Sequence, residues 1–368
     1  MSKEKILLVS CEGLGKGGVQ IVLMNIVRQL SHKYIFDIIL FTDEKRYYDD
    51  EFESYGGKII RIPFYEGHSK IKKRLDFCIR GSRLYRSIKK EITKNGPYKA
   101  IHCNNFYESA LCVKGATKCG IPVKIVHNHI FMVKTNIIKA FIENRYLKLI
   151  KKHSTHLIGC SLESCTSMFG EDENYKVIPN PYDDKKFIPK RDLDVPREFE
   201  ITHVGNFCDN KNQIFSLEVL AEIIKRHPEA KLNLIGNCSK EYKMRIEEAI
   251  RELGVKDNVV IYPFDADIPE ILEKSSAFIF PSRNEGFGIV LVEAQAMGVR
   301  CYASDTVPYI TDAGGCTYMS LKDGAKKWAD KIIEDYEKYQ GKHIKCDCSR
   351  YEPQKVAKIF DDIYSGKM

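Results

Sequence analysis

The chain has 368 residues, of which 43% are hydrophobic and 29% are charged. This length suits two domains of ordinary size, and the composition is typical of a globular protein. No apolar run approaches the roughly 18 residues of a membrane span, and the apolar stretch near the N-terminus is too short for a signal peptide. We therefore expect a cytoplasmic protein.

The net charge of +8 is unevenly distributed along the chain. Residues 1–180 carry 30 lysines and arginines against 18 acidic residues, whereas residues 181–368 carry 28 against 32. A basic first half indicates an anionic partner. The segment 70–99 is either a solvated helix face or a surface for nucleic acid or an anionic membrane. Its basic residues are Lys70, Lys72, Lys73, Arg74, Arg80, Arg83, Arg86, Lys89, Lys90, Lys94 and Lys99.

The thirteen cysteines are scattered singly, except for the pair Cys346 and Cys348. Their number is odd, and their spacings match no zinc site. Because nothing in the sequence resembles an export signal, we predict that they are reduced thiols.

Short apolar strands alternate with amphipathic helices through the first half of the chain. This alternation predicts a parallel sheet with helices on both faces. The predicted strands are Lys5–Ser10, Phe36–Phe41, Lys58–Ile62, Ala100–Cys103, Val123–His127, His156–Cys160 and Tyr175–Ile178. The predicted helices are Gln20–Leu30, 72–94, Glu108–Lys118 and 134–152.

The pattern breaks at Ile178–Tyr182, which contains two prolines, and the polar segment Pro189–Arg197 follows. Prolines and charges in succession are typical of a linker, so the sequence predicts one domain over 1–179 and another over 180–351.

The alternation of strands and helices then restarts. The predicted strands are Glu200–Val204, Lys231–Ile235, Val259–Tyr262, Ala277–Phe280 and Arg300–Ala303. The predicted helices are Gln213–Arg226, Tyr242–Leu253, Ile268–Lys274, Val290–Met297 and Tyr351–Tyr364, the last of which docks on one of the domains. Two Rossmann-like α/β halves result, each able to bind a ligand at the carboxyl ends of its strands, with a crevice between them as the expected site.

The segment Phe280–Gly288 is the strongest candidate for a binding site. A strand ends at Pro281, two glycines follow, and a helix is predicted from about Phe287. Free backbone N–H groups at a helix start bind anions, and glycines let a phosphate approach the backbone. Glu293 lies among apolar residues of that helix, where a carboxylate requires a partner such as ribose hydroxyls or a lysine.

This segment resembles a known enzyme family. Glu285 follows a Pro-Ser turn, and Glu293 stands eight residues later, at the start of the run Glu-Ala-Gln-Ala-Met-Gly over Glu293–Gly298. This pattern resembles that of retaining glycosyltransferases of the GT-B fold, family 4 type. The run Phe280–Pro308 is most similar to glycosyltransferases of bacterial capsule and exopolysaccharide synthesis. The resemblance implies two Rossmann-like domains facing across a deep cleft, with residues 352–368 returning to the N-terminal domain.

The resemblance also implies roles for the residues of the C-terminal segment. Glu285 corresponds to the glutamate that faces the donor sugar, and Glu293 to the one that holds the ribose. The backbone of Gly286, Phe287 and Gly288 would contact sugar hydroxyls and the diphosphate.

Two segments of the first half fit the same family. Gly17 and Gly18 resemble its N-terminal glycine loop, although ordinary turn chemistry explains these glycines equally well. His127 and His129 resemble the strand-end histidine beside the reacting sugar. Both histidines share one side of an extended chain, so the sequence leaves open which of them acts.

The second half departs from the family at one position. The resemblance implies an arginine and a lysine that clamp the diphosphate, and Lys211 is present, but Asn206 stands where the arginine is expected. An asparagine donates only a neutral hydrogen bond. Either Lys211 and the helix N-terminus suffice, or Arg283 supplies the charge. Gly236 and Phe264 correspond to positions beside the nucleotide and its base.

The family resemblance implies a hexosyl transfer from a nucleoside diphosphate sugar, with UDP as the expected nucleotide, to a saccharide or a polyprenyl-diphosphate-linked saccharide. It implies retention at the anomeric carbon, and no metal or other cofactor is expected. The basic half would then hold the enzyme peripherally on the inner face of the membrane. Two other classes remain as alternatives, a non-catalytic sugar-nucleotide-binding module and a nucleic-acid-binding protein. The second is disfavoured, because the basic segment lacks a known reader motif.

Overall fold

The structure is a computed structural model that describes residues 3–11, 13–62, 70–104, 106–132, 137–171 and 174–368. The side chains of residues 70–80, 82 and 137–139 also lie outside the description, which includes five of the basic residues named above. The chain divides into two compact units, Met1–Pro181 with Pro353–Met368 and Tyr182–Glu352. None of the described helices has both the length and the apolar character that crossing a membrane requires.

The first unit contains a seven-stranded parallel sheet. Its strands are Glu4–Ser10 (β1), Tyr34–Leu40 (β2), Ile59–Arg61 (β3), Ala100–Cys103 (β4), Val123–Asn128 (β5), His156–Gly159 (β6) and Lys176–Val177 (β7). They lie in the order β3-β2-β1-β4-β5-β6-β7. The helices between them are Gly18–Leu30 (α1), Asp49–Ser54 (α2), Lys70–Asn95 (α3), Tyr107–Lys118 (α4), Ile137–His153 (α5) and Leu162–Phe169 (α6).

The apolar sequence of β1 explains its central place. Its residues Ile6–Val9 are fully buried, because side chains alternate between the two faces of the sheet and both faces are covered by helices. Ile6 and Leu8 pack in one apolar core, whereas Leu7 and Val9 pack in the other.

The second unit contains a six-stranded parallel sheet. Its strands are Glu200–Val204 (β8), Lys231–Ile235 (β9), Val259–Tyr262 (β10), Ala277–Phe280 (β11), Arg300–Ser304 (β12) and Cys316–Met319 (β13). Its helices are Gln213–Ile223 (α7), Lys240–Glu252 (α8), Ile268–Lys274 (α9), Ile289–Ala296 (α10) and Gly324–Tyr339 (α11). The strand order β10-β9-β8-β11-β12-β13 is that of a Rossmann sheet, with its switch point between β8 and β11. The prediction of two Rossmann-like halves is therefore confirmed.

The last helix of the chain, Pro353–Tyr364 (α12), belongs to the first unit. Val356, Phe360, Ile363 and Tyr364 lie on one side of this helix, at spacings of three and four residues, and are buried in the core that contains Ile6 and Leu8. The expected return of the C-terminal helix to the N-terminal domain is confirmed.

The interpretation of Pro189–Arg197 as a linker was wrong. The backbone N–H groups of Lys190 and Arg191 donate to the Glu273 carboxylate at 3.0 and 2.7 Å. The Arg197 Nε donates to the Glu273 carbonyl oxygen at 2.8 Å, and the Arg197 side chain is only 1% exposed. Two backbone N–H groups and the buried Arg197 of this segment are therefore bonded to α9, and the segment packs on the second unit, while the side chains of Lys190, Arg191, Asp192 and Asp194 remain exposed.

Sequence periodicity did not detect α2, α6, β13 and α11. The helices α2 and α6, with 6 and 8 residues, have too few turns for a clear apolar stripe, and α6 is defined instead by its start. The Ser161 side chain accepts from the backbone N–H of Ser164, and the Ser164 hydroxyl accepts from the backbone N–H of Ser161, which caps the helix. The 16 residues of α11 do carry a buried stripe, at Trp328, Ala329, Ile332 and Ile333, which the sequence reading overlooked.

Candidate active site

Two loops of the second unit meet at the carboxyl ends of neighbouring strands β8 and β11. The Arg283 backbone N–H donates to the Asn210 carbonyl oxygen at 2.8 Å, and the Asn210 side-chain amide donates to the Asn284 carbonyl oxygen at 2.8 Å. The Asn212 side chain donates to the Pro281 carbonyl oxygen at 3.2 Å. These bonds fix the loop that carries Lys211 against the loop that carries Glu285.

Lys211 and Glu285 form an ion pair at this junction. The Lys211 Nζ lies 2.6 Å from the Glu285 Oε1, and the two side chains are 22% and 10% exposed. The same ammonium lies 4.8 Å from the centroid of the Phe280 ring, which adds a cation–π contact. The structure thus brings together the two residues that the family resemblance assigns to the donor sugar and to the diphosphate.

The glycine turn before α10 takes a conformation that only glycine adopts readily. Gly288 precedes the helix with φ of 93°, so α10 begins at Ile289, between the two predicted starts near Phe287 and at Val290. The Phe287 side chain is 2% exposed and packs edge-on against Tyr351 at 6.1 Å between ring centroids. The Phe287 ring therefore belongs to the core, and its backbone alone could contact a ligand.

Glu293 is a buried carboxyl group in α10. It is 6% exposed, and no described residue donates a hydrogen bond to its side chain. Burial raises the pKa of Glu293 to about 7, while Lys186 lowers the pKa and Asp183 raises it by a smaller amount. A group of this kind accepts hydrogen bonds from a ligand without first giving up a protein partner.

The turns after β8 and β9 are in close contact, which explains Gly236. A Cβ at this position would lie 2.1 Å from the Gly205 carbonyl oxygen and 3.2 Å from the Asn206 backbone nitrogen. The fully buried Gln213 amide reinforces the contact, because it donates to the carbonyl oxygens of Gly205 and Asn206, each at 3.2 Å. Sequence reasoning missed Gln213, although its amide at the start of an apolar helix was a usable signal.

The three other predicted donor residues lie on the surface of the second unit. Asn206 is exposed, and its position at the β8 turn leaves its side chain open to solvent. Arg283 is exposed and tethered, since its Nε donates to the Asp209 carbonyl oxygen at 3.2 Å and its Nη2 to the Asn212 side-chain oxygen at 3.4 Å. Phe264 is 38% exposed just beyond the end of β10.

In the first unit, a histidine cluster occupies the carboxyl ends of β4 and β5. His127 and His129 have ring centroids 3.9 Å apart, so both lie in one place as the sequence predicted. The His127 Nδ1 lies 3.3 Å from the His102 Nε2, and the His102 Nδ1 lies 2.8 Å from the Tyr364 hydroxyl of α12. Burial lowers the pKa of His102 to about 3 and that of His129 to about 4, and it lowers the pKa of His127 as well. All three rings are therefore neutral at pH 7.

His129 is held by two asparagines. Its Nε2 lies 2.9 Å from the Asn104 side-chain oxygen and its Nδ1 lies 3.3 Å from the Asn180 side-chain oxygen, so the neutral ring can donate to only one of them. The Asn104 amide nitrogen donates to the Val9 carbonyl oxygen at 3.2 Å, so its oxygen is left to accept from His129. His129 therefore carries its hydrogen on Nε2 and donates it to Asn104 within the first unit, whereas the His127 Nε2 is buried with no partner among the described residues. That difference favours His127 as the histidine that meets a ligand.

The predicted glycine loop lies at the start of α1, where Gly17 is the N-cap and Gly18 is the first helical residue. A cavity of about 390 Å³ lies beside it, lined by Gly13, Gly15, Gly17, Gln20, Thr42 and Arg46. A Cβ on Gly18 would meet nothing within 4 Å. Space alone therefore does not require a glycine at position 18.

The second unit contains a known domain. Residues 184–337 match the family described as glycosyl transferases group 1. EpsF of Bacillus subtilis, a protein named as a glycosyltransferase, is 28% identical over 356 residues, which cover 90% of this chain and 88% of EpsF. The capsular polysaccharide biosynthesis glycosyltransferase CapH of Staphylococcus aureus is 24% identical over 311 residues, 76% of each chain.

Two further comparisons concern ligands of similar proteins. The UDP-Gal:alpha-D-GlcNAc-diphosphoundecaprenol alpha-1,3-galactosyltransferase of Escherichia coli is 26% identical over 241 residues, 60% of each chain. The crystal structure of Anabaena HepE in complex with UDP superposes with a TM-score of 0.78 at 17% identity, over 99% of this chain and 100% of HepE. The superposition with HepE shows a common fold over nearly the full length of both chains.

Proposed function

Since the chain is a GT-B glycosyltransferase related to enzymes of capsule and exopolysaccharide synthesis, we propose that it transfers a hexosyl group from a UDP-sugar to a saccharide hydroxyl with retention. In this reaction the bond from the anomeric carbon to the diphosphate breaks and a bond to the acceptor oxygen forms on the same face. The acceptor proton passes to the leaving phosphate. Neither step requires an enzyme nucleophile.

The observation that carries the proposal is the buried Glu293 carboxyl group behind the glycine turn. With no donor from the described chain, this group fits ribose hydroxyls, each of which would donate one hydrogen bond. The start of α10 presents backbone N–H groups to an anion, and Lys211 adds a positive charge beside it. Together they would stabilise the charge that develops on the leaving diphosphate.

UDP and a lipid-linked acceptor have separate support. HepE, whose fold this chain shares, forms a complex with UDP, and the similar Escherichia coli enzyme carries both UDP-Gal and a diphosphoundecaprenol-linked acceptor in its name. In the first unit, His127 would face the sugar. We propose that no metal is needed, because Lys211 and the helix N-terminus supply the positive charge.

Turnover of sugar nucleotides by the purified enzyme tests this function. The wild type should release UDP from a UDP-sugar, and Lys211→Ala should lower kcat by about 100-fold because one charge on the leaving group is lost. The exposed Lys225, paired with Glu222 on the outer side of α7, offers the control Lys225→Ala, which should leave kcat unchanged. EDTA should not reduce turnover. Equal kcat for Lys211→Ala and wild type would contradict the site.

The basic face of α3 supports a position on an anionic membrane. Leu84, Ile88 and Ile92 are buried at helical spacing, whereas the five described basic residues between Arg83 and Lys94 are exposed. Each lysine or arginine near an anionic surface contributes about 1 kcal/mol, so a few would hold the enzyme there.

Sedimentation with liposomes that contain anionic lipid tests the membrane proposal. Binding should be strong at low salt, weaken at high salt because screening shortens the reach of the charges, and fall with Lys89→Glu and Lys90→Glu. The same reversal at Lys240 of the second unit serves as a control. Binding that is insensitive to both salt and the α3 variants would refute this surface.

A further inference from the structure

The buried tyrosine at the end of α12 makes a continuous contact with the predicted sugar-facing histidine. Tyr364 is fully buried, and its hydroxyl lies 2.8 Å from the His102 Nδ1. The opposite nitrogen of His102 lies 3.3 Å from the His127 Nδ1, with the two rings tilted by only 18°. The nearly parallel ring planes allow an in-plane hydrogen bond between the imidazoles.

The number of buried polar groups left unpaired decides in which direction the hydrogen bonds run between Tyr364 and His127. His102 is the sole hydrogen-bond partner of the Tyr364 hydroxyl among the residues that the structure describes. If His102 donated to Tyr364, the phenolic hydrogen would be buried without an acceptor, and the His127 Nε2 would be a second unpaired group. If Tyr364 donates, only the His127 Nε2–H remains unpaired. An unpaired buried polar group is costly, so the second arrangement is favoured.

We propose that Tyr364 and His102 are positioning residues that fix the tautomer of His127. Tyr364 donates to the His102 Nδ1, which leaves the hydrogen of His102 on Nε2. His102 in turn donates to the His127 Nδ1, which places the hydrogen of His127 on Nε2. The relay, defined as Tyr364, His102 and His127, thus presents a neutral N–H donor instead of a lone pair.

A buried N–H donor has a defined ligand chemistry. It accepts no proton at neutral pH, since burial lowers the pKa of His127, and it fits an oxygen acceptor such as a sugar hydroxyl. This use of the donor rests on the proposed function, whereas the tautomer itself depends only on the first unit. The C-terminal helix therefore contributes to the candidate site through its last residue and not only to the core.

Tyr364→Phe removes the first donor and keeps the ring. The matched control is Tyr34→Phe, because Tyr34 lies in the same core, contacts Tyr364 edge-on at 5.9 Å, and has its hydroxyl bonded to Asp361 and not to the relay. Both variants lose one phenolic oxygen from the same apolar cluster. A general structural effect should therefore appear in both of them.

Nitrogen-15 NMR of the imidazoles in the full-length protein measures the tautomer directly. The wild type and Tyr34→Phe should show His127 protonated on Nε2, and Tyr364→Phe should show a mixture of both tautomers. With a UDP-sugar, kcat/KM should fall roughly tenfold in Tyr364→Phe, the loss expected for one hydrogen bond, while UDP affinity stays unchanged.

Two results would overturn the relay: His127 protonated on Nδ1 in the wild type, or a Tyr364→Phe variant with the wild-type tautomer and the wild-type kcat/KM. If the wild type turns over no sugar nucleotide, the proposed function fails, and the NMR measurement still decides the relay. A Tyr364→Phe variant that fails to fold leaves the wild-type spectrum as the deciding measurement, because it alone can contradict the Nε2 assignment.

Discussion

The buried carboxyl group of Glu293 should make both the stability of the fold and the affinity for UDP depend on pH. Its pKa is raised from 4.5 to about 7 because burial disfavours the carboxylate. Below pH 4.5 the group is protonated in both the folded and unfolded states, so it costs nothing. As pH rises from 4.5 to 7 the unfolded state ionises first, and the free energy of unfolding falls by up to about 3 kcal/mol.

Glu293→Gln should remove this penalty. Denaturant unfolding should give the variant a higher free energy of unfolding than wild type at pH 8 and nearly the same value at pH 4.5, because glutamine is always neutral. The variant Glu252→Gln, at an exposed position in α8, should show no such difference.

The same carboxyl group should make donor binding pH-dependent. Ribose hydroxyls donate to a carboxylate, so UDP affinity of the wild type should rise as pH increases through about 7. Calorimetric titration of Glu293→Gln should give weaker and pH-independent binding. A wild-type affinity that is flat between pH 6 and 8, or one that falls, would show that Glu293 does not accept from the ligand.

For single residues, the sequence predicted which ones belong to the candidate site, but it did not predict which of them are in contact. It identified Glu285 and Lys211 from local pattern and resemblance, and the structure joins them in one ion pair. It did not identify His102 or Tyr364, because their contact spans 262 positions along the chain and leaves no local spacing. The sequence marked Asn206 as a departure from the family pattern, and the structure shows it as an exposed residue.

At the scale of elements, the strand-end turns carry the geometry of the site. The strands β8, β9 and β11 were predicted with correct bounds. β11 is an uninterrupted apolar run because both of its faces are buried, whereas β8 and β9 also carry buried polar residues. The packing of one turn on another was not predictable, because it depends on which strands are neighbours in the sheet.

Gly236→Ala tests the contact between the turns after β8 and β9. The new methyl group would lie 2.1 Å from the Gly205 carbonyl oxygen, so one of the two turns must move. We expect a loss of about 1–3 kcal/mol in the free energy of unfolding from overpacking and a lower UDP affinity.

Gly254→Ala is a suitable control for the backbone effect. Gly254 has φ of +66° and no atom within 4 Å of an added Cβ, so only the conformational cost of about 1 kcal/mol applies. Its UDP affinity should equal that of the wild type. If Gly236→Ala and Gly254→Ala bind UDP with equal affinity, the contact between the two turns does not contribute to UDP binding.

At the scale of the whole molecule, two Rossmann-like units follow from one repeated physical rule. Parallel strands require crossover helices, and this alternation was visible along the chain on both sides of residue 180. The interpretation of Pro189–Arg197 as a linker failed because the polar composition of a segment does not show where it packs. Four of its charged side chains are exposed as expected, but Arg197 is buried, and carbonyl oxygens of Glu273 and Val195 accept its hydrogen bonds.

We propose that the protein is a retaining glycosyltransferase with a UDP-sugar donor, and the configuration of its product tests this proposal most directly. Proton NMR of the reaction of the purified enzyme with an α-configured UDP-sugar and an acceptor saccharide follows the first-formed product at its anomeric proton. We expect release of UDP and an α-configured product, both formed about 100-fold more slowly by Lys211→Ala. A β-configured product, or no turnover with any UDP-, GDP- or ADP-sugar, would contradict it.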